Sequence, residues 1–238
     1  MDTNLLHSTV AAIVMMANYF QGVFSTGSPI ARQLQCELTA SSLSRKLLNI
    51  SQNLNNEDLV SQVVLRHLWT LTQSIKWPSD FAVLSQGALR IVASTHNQSP
   101  MSIHRAMVGN TRPLFRSALG KAYLAALPEE ELTEIISLIA SGGGPDATDL
   151  RAVELIRRSL AEVRETGFAA AVGTTKAKIS AIALPVRQTN SVIGAINIIF
   201  FRGALTPEQT VEEYLAKMQA TVAAIERELV EALAQNAH

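Results

Sequence analysis

The chain has 238 residues, of which 47% are hydrophobic and 17% are charged, so it is too apolar for a disordered protein and long enough to bury a core without disulfides or metals. Its 20 Lys and Arg residues balance its 20 Asp and Glu residues, which excludes an overall positive field for nucleic acid or anionic lipid. The one cysteine, Cys36, excludes an intrachain disulfide and a cysteine-rich metal site, and it suits a cytoplasmic protein.

The N-terminal part of the sequence predicts helices. The apolar run Val10–Phe20 is too short to span a bilayer and shows no convincing signal-peptide pattern, so it predicts a core helix. A second helix is predicted to begin at Asn55 and to end before Pro78, with apolar residues at helical spacing. We expect a helical N-terminal segment over residues 1–54, a linker helix over 55–76 and no membrane partner.

Short strands then alternate with helices along the chain. Strands are predicted at Phe81–Leu84, Leu89–Ser94, Met101–Val108, Ile179–Val186 and Val192–Phe201. Helices are predicted at Leu119–Leu127, after Pro128, at Asp149–Thr166 with Gly167 at its end, and from a capping box at Thr206–Gln209, with a loop at Ser141–Asp146. This order predicts an α+β fold with a mostly antiparallel sheet over residues 77–238.

The sequence carries no enzyme signature that we recognise. It has no G-x-S-x-G motif, and the phosphate-loop-like Leu119–Ala122 lacks the first glycine and the Ser or Thr that binds Mg²⁺. The five histidines form no metal-ligand pair at the usual spacing. We therefore expect no catalytic residues, no metal site and no cofactor, and a protein that is not an enzyme.

Several motifs occur together in the middle of the chain. Between Ser102 and Glu131, a Pro-Leu pair, a small-residue turn, Gly-Lys-Ala and a Leu-Pro-Glu-Glu helix start follow one another. This segment closely resembles the effector-binding domain of the IclR family of bacterial transcription factors. Arg164–Phe168, the strand end Pro185–Arg187 and the strand Val192–Ile199 resemble later landmarks of the same family.

The resemblance covers about residues 43–234. It implies a GAF-like effector-binding domain, regulation of transcription, a small carboxylic acid as effector, and a homodimer or tetramer. Trp77–Asp80 and His104–Gly109 look most like the branch that regulates catabolism of phenylpropionate-type aromatic acids.

The N-terminal part departs from the family pattern. Family members carry a winged helix-turn-helix before the linker helix, and fewer residues than it needs precede Leu43. Residues 28–50 can form a helix, a turn and a recognition helix, but 43–54 can equally lead into the linker. The first fifty residues carry little net charge, so we favour a truncated or degenerate motif. Candidate DNA-binding residues are Ser42, Ser44, Arg45 and Lys46.

Two functions therefore stay open at this point. The first is a ligand-responsive regulator that binds operator DNA, and the second is a ligand-binding sensor without competent DNA binding. A GAF-type enzyme such as a methionine sulfoxide reductase needs several cysteines and is disfavoured by the single Cys36.

A site for the effector carboxylate is predicted at the small-residue turn Ser117–Gly120, because the start of a helix presents unpaired N–H groups and a positive dipole end. The resemblance implies that Ala118 and Leu119 contact the carboxylate through their backbone amides. The role of Lys121 stays open. A competing interpretation is that Ser117 to Gly120 only begin a helix and that the nearby apolar residues are core.

The remaining candidate residues are expected to contact the other parts of the ligand. By resemblance, the positions of polar effector contacts hold Ala171, Ala181, Asn197 and Ile199. The two alanines favour a larger, partly apolar ligand such as an aromatic acid. Its ring is expected among Phe81, Met107, Phe115 and Ile182. Either His104 or Arg105, which alternate along a predicted strand, is expected to reach a ring hydroxyl or the carboxylate.

Overall fold

The computed structural model describes residues 58–142, 145–174 and 177–236, which belong to one compact unit. Its helices are α1 (58–75), α2 (Ala118–Ala125), α3 (Glu129–Gly142), α4 (Pro145–Asp149), α5 (Val153–Thr166, after a 3-10 turn at Leu150–Ala152) and α6 (Pro207–Asn236). Its strands are β1 (Asp80–Ser85), β2 (Ala88–Ser94), β3 (Thr111–Arg112), β4 (Ala169–Val172), β5 (Ile179–Gln188) and β6 (Ser191–Phe201). The predicted helix Val10–Phe20 and the candidate DNA-binding residues lie outside these ranges.

The six strands form one antiparallel sheet in the order β3-β2-β1-β6-β5-β4. The two long hairpins β1–β2 and β5–β6 meet at its centre through the pairs Phe81↔Ile196 and Ala82↔Ala195. Gly194 allows this close approach, because a Cβ there would lie 2.5 Å from both the backbone oxygen of Ala82 and the ring of Phe81. The predicted α+β fold with a mostly antiparallel sheet is confirmed.

Each face of the sheet is covered by its own helices and holds its own hydrophobic core. On the first face, apolar residues of α2, α3 and α5 pack against Ala82, Ile91 and Ala183. On the second face, α1 and α6 pack against Phe81, Ile182 and other large side chains of β5 and β6. Apart from Leu89 and Ile91 on β2, the buried strand residues of the first face are alanines, which leave space between the sheet and α2.

A β-bulge decides which side chains of β2 belong to which face. Phe81 pairs with Ala93 and Ala82 pairs with Ile91, so that Val92 is the extra residue. As a result, Ile91 lies in the core of the first face and Ala93 in that of the second, although residues two apart in a regular strand share a face.

The local helix signals in the sequence are confirmed where the structure describes them. Gly167 ends α5 with a φ of 79°, and its N–H donates to the carbonyl of Val163 over 2.9 Å. At the start of α6, the Thr206 N–H donates to Gln209 Oε1 over 2.9 Å, and the Gln209 N–H donates to Thr206 Oγ1 over 3.3 Å. This is the reciprocal pair of a capping box.

Two expectations from the sequence are wrong. Met101–Val108 is not a strand but an irregular segment of turns, whose folding depends on Ser99 and Ser102 rather than on ladder bonds. The loop predicted over Ser141–Asp146 is shorter, because α3 extends to Gly142 and α4 begins at Pro145. Proline at the first position of a helix suits α4, since its missing N–H would have no partner there.

Candidate ligand-binding site

A pocket of about 290 Å³ lies between the first face of the sheet and the start of α2, and we call it the α2 pocket. Its size is at the lower end of the range of roughly 300–1,000 Å³ for small-molecule sites. Its lining comes from the segment 95–117, the first turn of α2, and strands β4, β5 and β6. The lining residues are His96, His104, Met107, Arg112, Pro113, Arg116, Ser117, Ala118, Leu119, Ala171, Thr174, Ile179, Ser180, Ala181, Asn197 and Ile199.

The first turn of α2 presents two backbone donors to the pocket. Ser117 caps the helix: its hydroxyl donates to the carbonyl of Pro113 over 2.6 Å and accepts from the N–H of Gly120 over 3.0 Å. The N–H groups of Ala118 and Leu119 have no acceptor among the described residues, as expected for the first positions of a helix. Both residues are buried, so a ligand oxygen would meet these donors away from bulk water.

The position of α2 depends on a glycine. A Cβ at Gly120 would lie 2.0 Å from the carbonyl oxygen of Leu114, so the helix could not approach this backbone with any other residue. The buried Leu114 is also tied to α4, because its N–H donates to Asp146 Oδ2 over 3.2 Å. The donors of the first turn are therefore held against a fixed backbone.

Two arginines among the lining residues add positive charge to the pocket. Arg112 comes from β3 and is half-buried, and Arg116 directly precedes the cap of α2. The Nε of Arg116 lies 2.8 Å from Asp149 Oδ2, so part of its charge is balanced, and a guanidinium nitrogen of Arg112 donates to the carbonyl of Thr111 over 3.3 Å. Together with the N-terminus of α2, these side chains make the pocket suited to an anion.

Asn197 is a buried polar residue in the floor of the pocket. Its Oδ1 accepts a hydrogen bond of 2.8 Å from the N–H of Asp80, which fixes which way the amide is oriented. The oxygen of Asn197 therefore serves the sheet, and its NH₂ group is the donor that it can offer to a ligand.

A histidine and a carboxylate lie together beside this floor. His96 Nε2 is 3.6 Å from Asp80 Oδ2, and the two side chains are 4% and 0% exposed. The Nδ1 of His96 lies 2.6 Å from Ser102 Oγ, and that hydroxyl donates to the carbonyl of His104 over 2.6 Å. Because the single proton of Ser102 is used in this bond, the Nδ1 of His96 must be the protonated nitrogen that donates to Ser102.

Many of the residues predicted from the sequence are brought together in the α2 pocket. They are His104, Met107, Ser117, Ala118, Leu119, Ala171, Ala181, Asn197 and Ile199. They come from five separate elements of the chain, so their meeting is a property of the fold and not of any one motif. Of the pair His104 and Arg105, only His104 lines the pocket, and the Arg105 guanidinium instead donates to the carbonyl of Asn97 over 3.3 Å.

Four further predicted residues do not line the pocket. Phe81 and Ile182 lie in the core of the second face, because the sheet alternates and directs them towards α1 and α6. Phe115 is packed in the core of the first face, and Gly120 faces the backbone of Leu114. The expected position of an aromatic ring among Phe81, Phe115 and Ile182 is therefore corrected.

Several lining residues were missed by the sequence reasoning, namely His96, Arg112, Pro113, Arg116, Thr174, Ile179 and Ser180. Arg112 and Arg116 flank the Pro-Leu pair and the helix start, so their charge beside a predicted anion site was a usable signal. His96 carried no such signal in the sequence, because only the pairing of β1 with β2 brings it close to Asp80.

Lys121, whose role was open, lies outside the α2 pocket. It lines a second cavity of about 390 Å³ beside α5 and α6, and its ammonium group donates to the carbonyl of Ala170 over 3.3 Å. Burial lowers the pKa of Lys121, and the nearby carboxylate of Glu162 opposes this effect. Lys121 thus connects α2 to β4 and does not face the predicted carboxylate site.

The comparisons with known proteins agree with this architecture. The family model for the C-terminal part of the bacterial transcriptional regulator IclR matches residues 51–227. The chain belongs to the IclR family. Members of this family are transcriptional regulators and not enzymes.

Solved structures of IclR-family proteins share the fold at low sequence identity. The C-terminal domain of the Escherichia coli regulator KdgR is 19% identical with a TM-score of 0.59, over 72% of this chain and 98% of that one. An IclR homologue from Microbacterium hydrocarbonoxydans, complexed with 4-hydroxybenzoate, is 24% identical with a TM-score of 0.59, over 74% and 70%. The inducer-binding domain of PobR from Acinetobacter, a double mutant with 3-hydroxybenzoic acid, is 19% identical with a TM-score of 0.56, over 70% and 97%.

Neither a metal-ligand cluster nor a membrane-spanning helix occurs among the residues that the structure describes. Within residues 58–142, 145–174 and 177–236, no three His, Cys, Asp or Glu side chains are grouped so as to hold a metal ion. Over the same ranges, no helix combines the length and the apolar character needed to cross a bilayer.

Proposed function

We propose that the protein is a transcriptional regulator that responds to a small aromatic carboxylic acid bound in the α2 pocket. The observation that carries this proposal is the set of donors that line the pocket: the N–H groups of Ala118 and Leu119, with the side chains of Arg112 and Arg116 in the same lining. A carboxylate placed there would accept two backbone hydrogen bonds and meet the positive end of α2.

The other walls of the pocket favour an aromatic ligand over a very small oxo-acid. They consist largely of apolar or small side chains, contributed by Met107, Ala171, Ile179, Ala181 and Ile199. A two-carbon acid such as glyoxylate would leave most of the 290 Å³ unfilled, whereas a ring can cover the apolar wall. The two relatives named above that hold hydroxybenzoates support the same ligand class.

The carboxylate site can be tested with matched ligands. We expect benzoate or 3-phenylpropionate to raise the melting temperature of the full chain and to bind with a Kd of micromolar order. The corresponding primary amides keep the ring and lose the charge, so they should bind at least about tenfold more weakly, as expected when a charge-assisted hydrogen bond is lost. Stabilisation by glyoxylate or pyruvate, and by no aromatic acid, would contradict the proposal.

A proline substitution can remove one of the two donors. Ser117 has the extended conformation that precedes a proline, with ψ of 153°, and proline is well tolerated at the first helical position. Ala118→Pro should therefore keep α2 and lower the affinity for benzoate by about tenfold. The control Ala118→Val adds side-chain volume and keeps the N–H. Equal losses in the two variants would show that volume, and not the donor, decides the affinity.

Recognition of operator DNA is part of the proposed function and follows from the family alone. The candidate residues Ser42, Ser44, Arg45 and Lys46 lie outside the described ranges. A gel-shift titration on the upstream intergenic DNA at several salt concentrations tests it, because affinity due to phosphate contacts falls steeply with salt. If no specific complex forms while the acid still binds, the chain is a sensor without competent DNA binding.

A further inference from the structure

We propose that Asp149 is a specificity-determining residue of the α2 pocket: its carboxylate balances the charge of Arg116, so that the pocket selects acids with one negative charge over acids with two. This role rests on the proposed function, since it concerns the same pocket. Asp149 lies on α4 and is not part of the pocket lining, so it acts on the ligand through Arg116.

The charged side chains that line the α2 pocket would by themselves favour an acid with two negative charges. Among the described residues, the lining contains Arg112 and Arg116 and no Asp or Glu side chain. Two guanidinium groups and the backbone donors of the first turn of α2 could receive two carboxylates. The preferred charge of the ligand therefore depends on the carboxylates that lie directly behind this lining.

Arg116 is the arginine whose charge is already balanced. Its Nε lies 2.8 Å from Asp149 Oδ2, and this oxygen is buried, so solvent screens the ion pair only in part. Arg112 has no carboxylate partner among the described residues, and one of its guanidinium nitrogens donates to the carbonyl of Thr111. The positive charge that remains for a ligand is therefore that of Arg112 together with the N-terminus of α2.

A second carboxylate on α4 strengthens this effect. Asp146 lies one helical turn before Asp149, and its Oδ2 accepts a hydrogen bond of 3.2 Å from the N–H of Leu114. Burial has the largest effect on the pKa of Asp146 and raises it, while the charge of Asp149 raises this pKa further and that of Arg116 lowers it. The three charged groups thus act on one another, and a second ligand carboxylate beside Arg116 would meet two carboxylates and one guanidinium.

Both partners of the ion pair are held in place. Thr174 Oγ1 donates to the carbonyl of Arg116 over 2.7 Å, which fixes the backbone from which the guanidinium extends. The hydrogen bond from Leu114 to Asp146 holds α4 against the segment that precedes α2. Because Asp149 belongs to the same short helix as Asp146, we expect its carboxylate to stay paired with Arg116 when a ligand enters.

Matched ligands test the charge selection on the unmodified protein. Calorimetric titration at neutral pH would compare 3-nitrobenzoate with isophthalate and 4-nitrobenzoate with terephthalate, because a nitro group has nearly the shape of a carboxylate and no net charge. We expect each nitrobenzoate to bind at least about fivefold more tightly than the matching dicarboxylate, and this preference to shrink at high salt. A dicarboxylate that binds as tightly as its nitrobenzoate would overturn the proposal.

The variant Asp149→Asn tests whether this residue causes the selection. Asparagine has nearly the same shape and no charge, so Arg116 becomes free to attract a second carboxylate. We expect the preference for the nitrobenzoate to fall by at least about threefold, mainly because the dicarboxylate binds more tightly. Adding Arg116→Gln to this variant removes the freed charge and should abolish the gain. An unchanged preference in folded Asp149→Asn, or a gain that persists without Arg116, would overturn the proposal.

The matched control is Glu129→Gln, because Glu129 forms an ion pair with Arg157 and neither residue lines the α2 pocket. This variant should keep the full preference for the nitrobenzoate. The single variant Arg116→Gln gives a second measurement, since it leaves the charge of Asp149 unbalanced and should increase the preference. A decrease in that variant would contradict the proposed role of Asp149. Circular dichroism and thermal melting show which variants are folded.

Failure of the proposed function and failure of the role of Asp149 give different results. If no aromatic acid binds to the unmodified protein, the proposed function itself is wrong. If the nitrobenzoates bind and the dicarboxylates bind equally well, only the role of Asp149 is overturned. The comparison of nitrobenzoates with dicarboxylates decides the matter by itself should the variants fail to fold.

Discussion

The side-chain oxygen of Asn197 on β6 accepts a hydrogen bond of 2.8 Å from the backbone N–H of Asp80 on β1. This bond connects the two hairpins of the sheet beside the α2 pocket, next to the ladder pair Phe81↔Ile196. It uses the acceptor of Asn197 and leaves the NH₂ group for the pocket. One residue therefore serves the fold with its oxygen and can serve the ligand with its nitrogen.

Replacement of Asn197 should separate these two roles. Asn197→Leu leaves the buried N–H of Asp80 without an acceptor, and we expect a loss of about 1–3 kcal/mol in the free energy of unfolding. Asn197→Asp keeps an acceptor for that N–H and places a negative charge at the pocket, so it should weaken acid binding more than stability. Urea denaturation and calorimetry measure the two effects. A leucine variant as stable as the parent would contradict this role of the bond.

Arg112 and Arg105 should differ in their effect on acid binding. Arg112 lines the α2 pocket, whereas Arg105 is exposed and bonds to Asn97. Because Arg112 is partly open to solvent, Arg112→Gln should lower the affinity for benzoate only about two- to fivefold, and less at high salt. The affinity for the neutral amide should not change. Arg105→Gln is the matched control. A larger loss for Arg105 than for Arg112 would place the carboxylate elsewhere.

Gly120 should not tolerate a side chain. In Gly120→Ala, the new methyl group would meet the carbonyl oxygen of Leu114 at 2.0 Å, so the backbone must move, and we expect a destabilisation of about 1–3 kcal/mol. Gly142→Ala is the control, since a Cβ there meets nothing within 4 Å and alanine favours a helix. Thermal and urea denaturation measure both variants. Equal stability of the two would mean that α2 can move away from Leu114.

The stability of the domain should depend on the ionisation of Asp146. Burial raises the pKa of Asp146 above 3.8 in the folded protein, and the hydrogen bond from the Leu114 N–H opposes this effect. Between 3.8 and the raised pKa, the folded state binds more protons than the unfolded state, so this group lowers the stability as the pH rises through that window. Above the raised pKa of Asp146, the carboxylate is ionised in both states, and the full destabilisation from burying its charge is present.

Asp146→Asn removes this titration and keeps an oxygen for the Leu114 N–H. The unfolding free energy of the variant relative to the parent should therefore increase as the pH rises from about 3.5 towards 7. Urea denaturation at several pH values measures this difference. A difference that does not change with pH would show that Asp146 titrates alike in the folded and unfolded states.

The sequence alone determined those features of the protein that depend on neighbouring residues. Gly167 at the end of α5, the capping box at Thr206 and Gln209, and the start of α2 after Ser117 are set by interactions within one helical turn. The alternation of hairpin-like strands with helices was sufficient for the fold class. The resemblance to the IclR family supplied positions such as Ala171 and Asn197, which no local pattern connects.

Only the tertiary structure decided which residues share a face of the sheet and what they meet there. The bulge at Val92 reverses the alternation within β2, and the pairing of the hairpins directs Phe81 to one core while its neighbour Asp80 lies beside His96. The segment Met101–Val108 reads as a strand by composition, yet no ladder partner exists for it among the described residues, so side-chain bonds shape it instead. Periodicity assigns a side chain to a face of its own strand, but register and bulges decide what that face contacts, and these depend on residues far apart in the chain.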